Sequence, residues 1–155
     1  MDAAFPEAVR WSHQPGPDPM PDLLAPGRLM AQCLDAMPDA IIVTNAAGDT
    51  VFFNRAALRF FGPRVTFAVS AADREEFYHP DDYLAGQEVR NEVLRQGGGA
   101  SVMIRAIRFD YAQRWHQMDL TPLFGRNARV TGVLARMTDI HDQRVQPAGL
   151  SASRS

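Results

Sequence analysis

The segment DAIIVTNAAGDTVFFNRAALRFFG, residues 39–62, changes character twice in quick succession. Ala40 to Thr44 is apolar and β-branched, the composition of a strand. Asn45 to Asp49 carries Gly48 and reads as a turn. Thr50 to Phe53 is a second strand, and the two make a hairpin with a loop of about five residues. At Asn54 the strand breaks without a linker. RAALRFFG then reads as a short helix with Ala56, Ala57, Phe60 and Phe61 apolar, stopped by Gly62 and Pro63. Asn suits such a junction, because its side-chain oxygen accepts from a backbone N–H that the first helical turn leaves unpaired.

Upstream, RLMAQCLDAM places Leu29, Met30, Cys33, Leu34 and Met37 on one helical stripe, ended by Pro38. Cys33 within that stripe reads as a small buried apolar side chain rather than a reactive thiol. Residues 1–27 hold Pro6, Pro15, Pro17, Pro19, Pro21 and Pro26, with Gly16 and Gly27, and read as an extended, poorly ordered leader. QPAGLSASRS is equally poor in apolar residues. The expected organisation is a leader over 1–27, one packed domain over 28–144 and a disordered tail over 145–155.

Downstream, Ser70 and Asp73 have capping-box spacing and begin a second helical piece that REEFY continues. HPDDYLAGQEVRNEVLRQGGG is the clearest helix. Pro80 suits its first turn, Asp81 and Asp82 its positive end, and Arg95 its last turn, while Gly97 to Gly99 terminate it. Three strands close the domain. ASVMIRAIRF alternates weakly. RWHQMDLTPLF alternates with Trp115, Gln117, Asp119 and Thr121 on one parity and His116, Met118 and Leu120 on the other. RVTGVLARMTDI is nearly continuous in apolar residues, as a central strand covered on both faces would be. Five strands split two and three around a group of helices predict an α+β fold with an antiparallel sheet.

Composition bounds the function. The chain has 155 residues, 46% apolar and 22% charged, with a net charge of −2. That length suits one domain with an adequate core. The charge gives no global attraction to nucleic acid or anionic lipid, so neither is expected as a partner. A single cysteine rules out a disulfide framework within the chain and points to a reducing compartment. MDAAFPEAVRWSHQPGPDP lacks the basic and apolar regions of a secretory signal, and no run approaches the roughly 18 apolar residues of a membrane span. A cytoplasmic protein is expected.

AIIVTNAAGDTVFFNRAALRFFG, HPDD before the long helix, and RWHQMDLTPLFGRNARVTGVLARMTDIHDQR, in that order, resemble a PAS domain over about residues 30–144. The family often has Asp at the position of Asn45 and a DG or NG turn where this chain has FDYAQRW. The resemblance implies a five-stranded antiparallel sheet in the order 2-1-5-4-3, with short helices and one longer helix on one face, and a flanking N-terminal helix. It implies a sensory or signalling role: a ligand or partner engages the space between sheet and helices, and a packing change passes to neighbouring elements. PAS domains that drive an output usually continue from the Asp-Ile end, here Asp139 and Ile140, into a signalling helix. HDQRVQPAGLSASRS meets Pro147 instead, as in a fragment or a stand-alone protein acting on a kinase or regulator in trans.

The cofactor subclasses of the family leave specific marks. A flavin-adduct photosensor needs a Cys in the helix after the hairpin, and an oxygen-sensing haem domain needs a His on the long helix. This chain has neither, and Cys33 precedes the sheet, so no cofactor is assigned. His79 with Asp81 and Asp82 reads as a helix start rather than a metal site. The candidate pocket residues are Ile42, Phe53, Phe60, Phe61, Leu84, Met103, Met118 and Met137, with Asn54, Arg105 and Gln117 as polar contacts; the same residues would equally fill a core. Leu29, Met30, Cys33, Leu34 and Met37 are candidates for a homodimer contact or for covering their own sheet. A pure interaction domain without ligand is the second reading. An enzyme ranks last, because His116 and Asp119 lie on opposite faces of a strand.

Overall fold

The computed structural model describes residues 26–144. The tail, and the leader up to residue 25, lie outside the described residues. Helix α1, Pro26–Asp35, is one compact unit's described part, and residues from Met37 onward form the other. Pro26 and Gly27, expected in the leader, make the first turn of α1, where proline's fixed φ is favourable. The stripe on α1 is not a buried one: Leu29 and Leu34 are half-buried, and Met30 and Cys33 are exposed. The expectation that Cys33 is buried is therefore corrected.

In the second unit, β1 (Ala40–Asn45) and β2 (Thr50–Phe53) form the hairpin, and α2 (Arg55–Phe61) follows directly. A 3-10 turn at Pro63–Thr66 leads to the short helix α3, Ala71–Arg74. Ser70 and Asp73 complete the capping box there, each side chain accepting from the other's backbone N–H. After a 3-10 turn at Glu75–Phe77 comes the long helix α4, Pro80–Gln96, capped by His79 through Nδ1 and closed by Gly97 at φ 77°. Strands β3 (Ala100–Ile107), β4 (Gln113–Phe124) and β5 (Val130–Asp139) complete the sheet, and α5 (His141–Arg144) ends the described chain.

All neighbours are antiparallel and the order is β2-β1-β5-β4-β3. β5 is central as expected, but its two faces are not equally buried. Val133 and Met137 face the core, Leu134 on the outer face is half-buried, and Arg136 is exposed. Gly132 serves the join to β1: a Cβ there would stand 2.5 Å from the Thr44 carbonyl oxygen. The FDYAQ connection turns tightly without the expected glycine. Tyr111 takes φ 68° instead, and the Arg108 N–H closes on the Ala112 carbonyl at 2.8 Å.

Asn54 holds the hairpin to the first helix. Its side-chain oxygen accepts from the Ile41 N–H at 2.8 Å and the Ala57 N–H at 3.0 Å, and its amide nitrogen donates to the Asp39 carbonyl at 3.0 Å. The residue is 1% exposed. Its own backbone N–H reaches the Ile41 carbonyl at 3.0 Å. One buried amide thus serves a strand, a helix start and the approach to the sheet.

Asn54→Ala is expected to lower unfolding stability by about 2–4 kcal/mol, because two buried N–H groups lose their acceptor. Asn54→Asp should fall short of rescue, since a carboxylate has no proton for the Asp39 carbonyl. Urea midpoints at constant m check both; an Asp variant as stable as the parent would refute the role assigned to the amide nitrogen.

Candidate functional site

Helices α3 and α4 lie over the inward face of the sheet and leave a cavity of about 50 Å³. Its floor is the inward parity of the strands: Ile42, Ile104, Met118, Leu120, Val133 and Ala135. Its roof is one stripe of α4, Tyr83, Gly86, Gln87 and Arg90, at i, i+3, i+4 and i+7. Thr44, Arg74 and Tyr78 complete it. At Gly86 the helix comes close to the sheet, where a Cβ would lie 3.3 Å from Ile104 Cδ1.

Beside the cavity the core is closed by aromatic rings. Phe61 stacks on Phe77 with centroids 4.6 Å apart, and Phe60 meets Phe61 edge-on at 5.0 Å. The Arg64 guanidinium covers Phe77 at 4.8 Å and donates to the Phe61 carbonyl at 2.9 Å. Tyr78 stacks with Tyr83 at 5.8 Å, and burial pushes its phenol pKa up.

The expected pocket residues separate into groups. Ile42 and Met118 line the cavity. Phe53, Phe60, Phe61 and Met137 belong to the core around it without lining it. Asn54 is committed to the backbone as described. Leu84 does not belong: it lies on the solvent side of α4, 73% exposed. Met103 and Gln117 are on the outer parity of the sheet, Met103 40% exposed and Gln117 donating to Asp119 Oδ1 at 3.0 Å. The choice of parity on β3 was therefore wrong by one residue, the slip to which alternation is most sensitive. Arg105 is at the free edge of β3, where Asp82 Oδ2 accepts from its backbone N–H and its Nε, both at 2.8 Å. Those bonds hold the Asp82 carboxyl below its ordinary pKa. His79 donates its backbone N–H to the Arg105 carbonyl at 2.9 Å, so HPDD covers a sheet edge. Among the described residues no group of His, Cys, Asp and Glu could hold a metal.

Thr44, Arg74, Tyr78, Tyr83 and Arg90 were not foreseen as lining. The signal was present in the spacing of Tyr83, Gly86, Gln87 and Arg90, but a face with Gln and Arg on it does not read as an inner face.

The end of β5 is fastened by polar contacts. Arg114 Nε donates to Asp139 Oδ2 at 2.6 Å and Nη2 to Oδ1 at 3.3 Å; Asp139 Oδ1 also accepts from the His141 N–H at 2.9 Å. Burial raises the Asp139 pKa, and these hydrogen bonds outweigh it, for a net lowering. The Trp115 backbone N–H donates to His141 Nδ1 at 3.1 Å, and the Trp115 ring carries Arg105 at 4.9 Å and Arg144 at 4.2 Å. His116 is 2% exposed, edge-on to Phe60 at 4.9 Å, with Nε2 4.0 Å from Asp139 Oδ2. It faces the core while Asp119 faces outward, so the two make no acid–base pair.

An α+β scaffold with an antiparallel five-stranded sheet and an inward-facing cavity is thus defined, and the family follows from comparison. The family model described as PAS fold matches residues 28–140, and the chain belongs to that family. The PAS domain of a Colwellia psychrerythraea protein is 22% identical over 74% of this chain and 97% of that one, with a TM-score of 0.64. An RNA-binding light-oxygen-voltage receptor is 22% identical over 93% of this chain and 40% of its own, also at 0.64. A domain of a putative light and redox sensing histidine kinase from Haloarcula marismortui is 21% identical over 73% and 98%, at 0.57. No functionally curated protein matches. At these identities the likeness is one of fold. Among the described residues no helix is long and apolar enough to cross a membrane.

His116 predicts a pH effect. Burial holds its pKa below the ordinary 6.5, so the folded state disfavours the imidazolium. The unfolded chain then binds more protons, and stability should fall as pH drops through 6.5 towards the lowered folded value. Asp82 and Asp139, with lowered pKa values, stabilise at and above 3.8 and are lost only below it. His116→Gln should flatten the stability profile in the histidine window, from pH 6.5 downward and above the range of the carboxylates. Denaturant midpoints across pH 7 to about 4.5 test this; an unchanged slope in the variant would refute it.

Proposed function

We propose that this chain is a sensory module of a signalling protein, in which a small molecule in the cavity changes the packing of β5 and thereby its exit at Asp139 and Ile140. The observation that carries the reading is that Val133 and Ala135, in the cavity floor, share a strand with Asp139. An occupant pressing on that floor acts on the strand held at its end by Arg114. The module binds and relays; it is not an enzyme. A kinase or regulator, in cis or in trans, receives the signal, in keeping with the neighbours named above.

The second reading, an interaction domain with no ligand, has the cavity's size in its favour. About 50 Å³ is well below the roughly 300 Å³ and upward of sites for drug-sized ligands. Any occupant has only a few heavy atoms unless the core opens.

Two variants separate these readings. Ala135→Leu fills the cavity floor and should abolish ligand-dependent changes in hydrogen exchange at residues 139–144 while leaving the fold intact. Asp139→Ala should uncouple output from binding at a cost of about 1 kcal/mol or less, as for other part-exposed ion pairs. Unaltered output in the Asp139 variant would remove that residue from the relay. Unaltered output in both would favour the interaction domain.

The same proposal includes a homodimer formed through α1, whose Leu29, Met30, Cys33 and Leu34, with Met37 just beyond, keep apolar surface exposed. Light scattering should give twice the chain mass at micromolar concentration, and Met30→Glu should halve it. A monomer in the parent protein refutes the dimer.

A further inference from the structure

Arg74 and Arg90 are cations in an interior that is otherwise largely apolar. Arg74, at the end of α3, is 5% exposed, and Arg90, midway along α4, is 8% exposed. Both line the cavity. Arg74 donates from Nη1 to Thr50 Oγ1 and to the Val69 carbonyl, each at 2.9 Å. Arg90 donates from Nε and Nη2 to Thr44 Oγ1 at 3.2 and 3.0 Å, and from Nη2 to the Asn45 carbonyl at 2.7 Å. Every one of these acceptors is neutral.

A guanidinium has five N–H donors. By that count Nε and Nη2 of Arg74 and Nη1 of Arg90 have no protein acceptor among the described residues. Neither residue forms an ion pair with a described carboxylate. Asp73, next to Arg74 in sequence, has Oδ2 turned to the Val69 and Ser70 N–H groups. The two cations also act on each other: burial lowers the Arg90 pKa, and the charge of Arg74 lowers it further. Guanidinium stays protonated at neutral pH, so its burial calls for a counter-charge. The Tyr78 hydroxyl adds a donor to the lining, its described partner being the weakly accepting Met137 sulfur at 3.8 Å.

We infer that the cavity between α3, α4 and the sheet binds the carboxylate of a compact organic acid, held by the guanidinium groups of Arg74 and Arg90. The inference rests on the ligand-sensing reading and names its ligand class. A planar carboxylate matches the paired donors of a guanidinium. Ile104, Leu120 and Val133 offer its carbon body an apolar floor, which an inorganic anion would leave uncovered. The volume of about 50 Å³ limits that body to a few carbons, a third of the roughly 150 Å³ of a cavity known to take benzene.

The test uses the full chain in chloride-free buffer, titrated with straight-chain carboxylates from formate to valerate, their neutral amides, inorganic phosphate and chloride. One or more of the carboxylates should raise Tm by roughly 5–10 °C at a hundredfold excess over Kd. The matching amide should not. Arg74→Gln and Arg90→Gln should each weaken binding by roughly tenfold or more. Should either variant fail to fold, the Nε–H resonances of both arginines in the parent chain decide, since a bound carboxylate must shift them. Amides binding as well as acids would overturn the anion site and leave ligand sensing standing. Phosphate or chloride binding as tightly as the best carboxylate would overturn the organic acid. No response to any probe would overturn the inference, and an unaltered output in Ala135→Leu would then remove the sensing reading as well.

Discussion

The fold depends on a single buried amide. A hairpin that runs straight into a helix leaves two sets of backbone groups unpaired at one point: the last of the strand and the first of the helix. Asn54 supplies an acceptor and a donor on one short side chain, and it joins Ile41, Ala57 and Asp39 in one arrangement. Ser or Thr could cap the helix but could not span all three partners at once. With this junction made, α2 sits against β1, and Phe61 is delivered to the aromatic cluster that closes one side of the core.

Two other carboxylate–arginine pairs fasten the remaining elements to the sheet. Asp82 joins the start of α4 to the free edge of β3 and occupies a backbone donor that would otherwise be open to another strand. Asp139 joins the end of β5 to β4 through Arg114. Both pairs lie at the margin of the sheet, partly in solvent, where ion pairs contribute modestly and can be exchanged at small cost. Firm attachment is confined to the hairpin junction and the aromatic cluster. The margins, where a signal would have to leave, are held by contacts of a kind that can be rearranged.

Residue chemistry made most of the architecture legible. Gly48, Asn54, the Ser70–Asp73 box, Pro80 and Gly97 each impose a local geometry that no distant contact reverses, and each marks an element boundary within a residue or two. The inner parity of β4 was equally readable, because His116, Met118 and Leu120 alternate with strongly polar neighbours. β3 was not: Met103 and Ile104 are both apolar, so alternation alone does not say which of them turns inward, and it is Ile104 that packs beneath Gly86. Helix α4 posed a different difficulty. Tyr83 and Val93 face the core as their apolar character suggests, but Leu84 points to solvent while Arg90 goes inside. A reading by hydrophobicity inverts those two positions, since the side chain that carries the charge is also the one with a long apolar stem.

That inversion bears on how a cavity can persist in a small core. Apolar side chains in the places of Arg74 and Arg90 would be free to close on the sheet, because nothing opposes the filling of a void lined by hydrocarbon. Guanidinium groups anchored to Thr44, Thr50 and neighbouring carbonyls cannot do so without giving up those bonds. Their mutual repulsion acts in the same direction. The same charges are therefore what keeps the cavity open, and under the proposed reading an anion placed between them would relieve the cost of their burial without removing that support. An anionic occupant would gain more from two buried guanidinium groups than a neutral one of equal size, which is how such a lining would discriminate by charge.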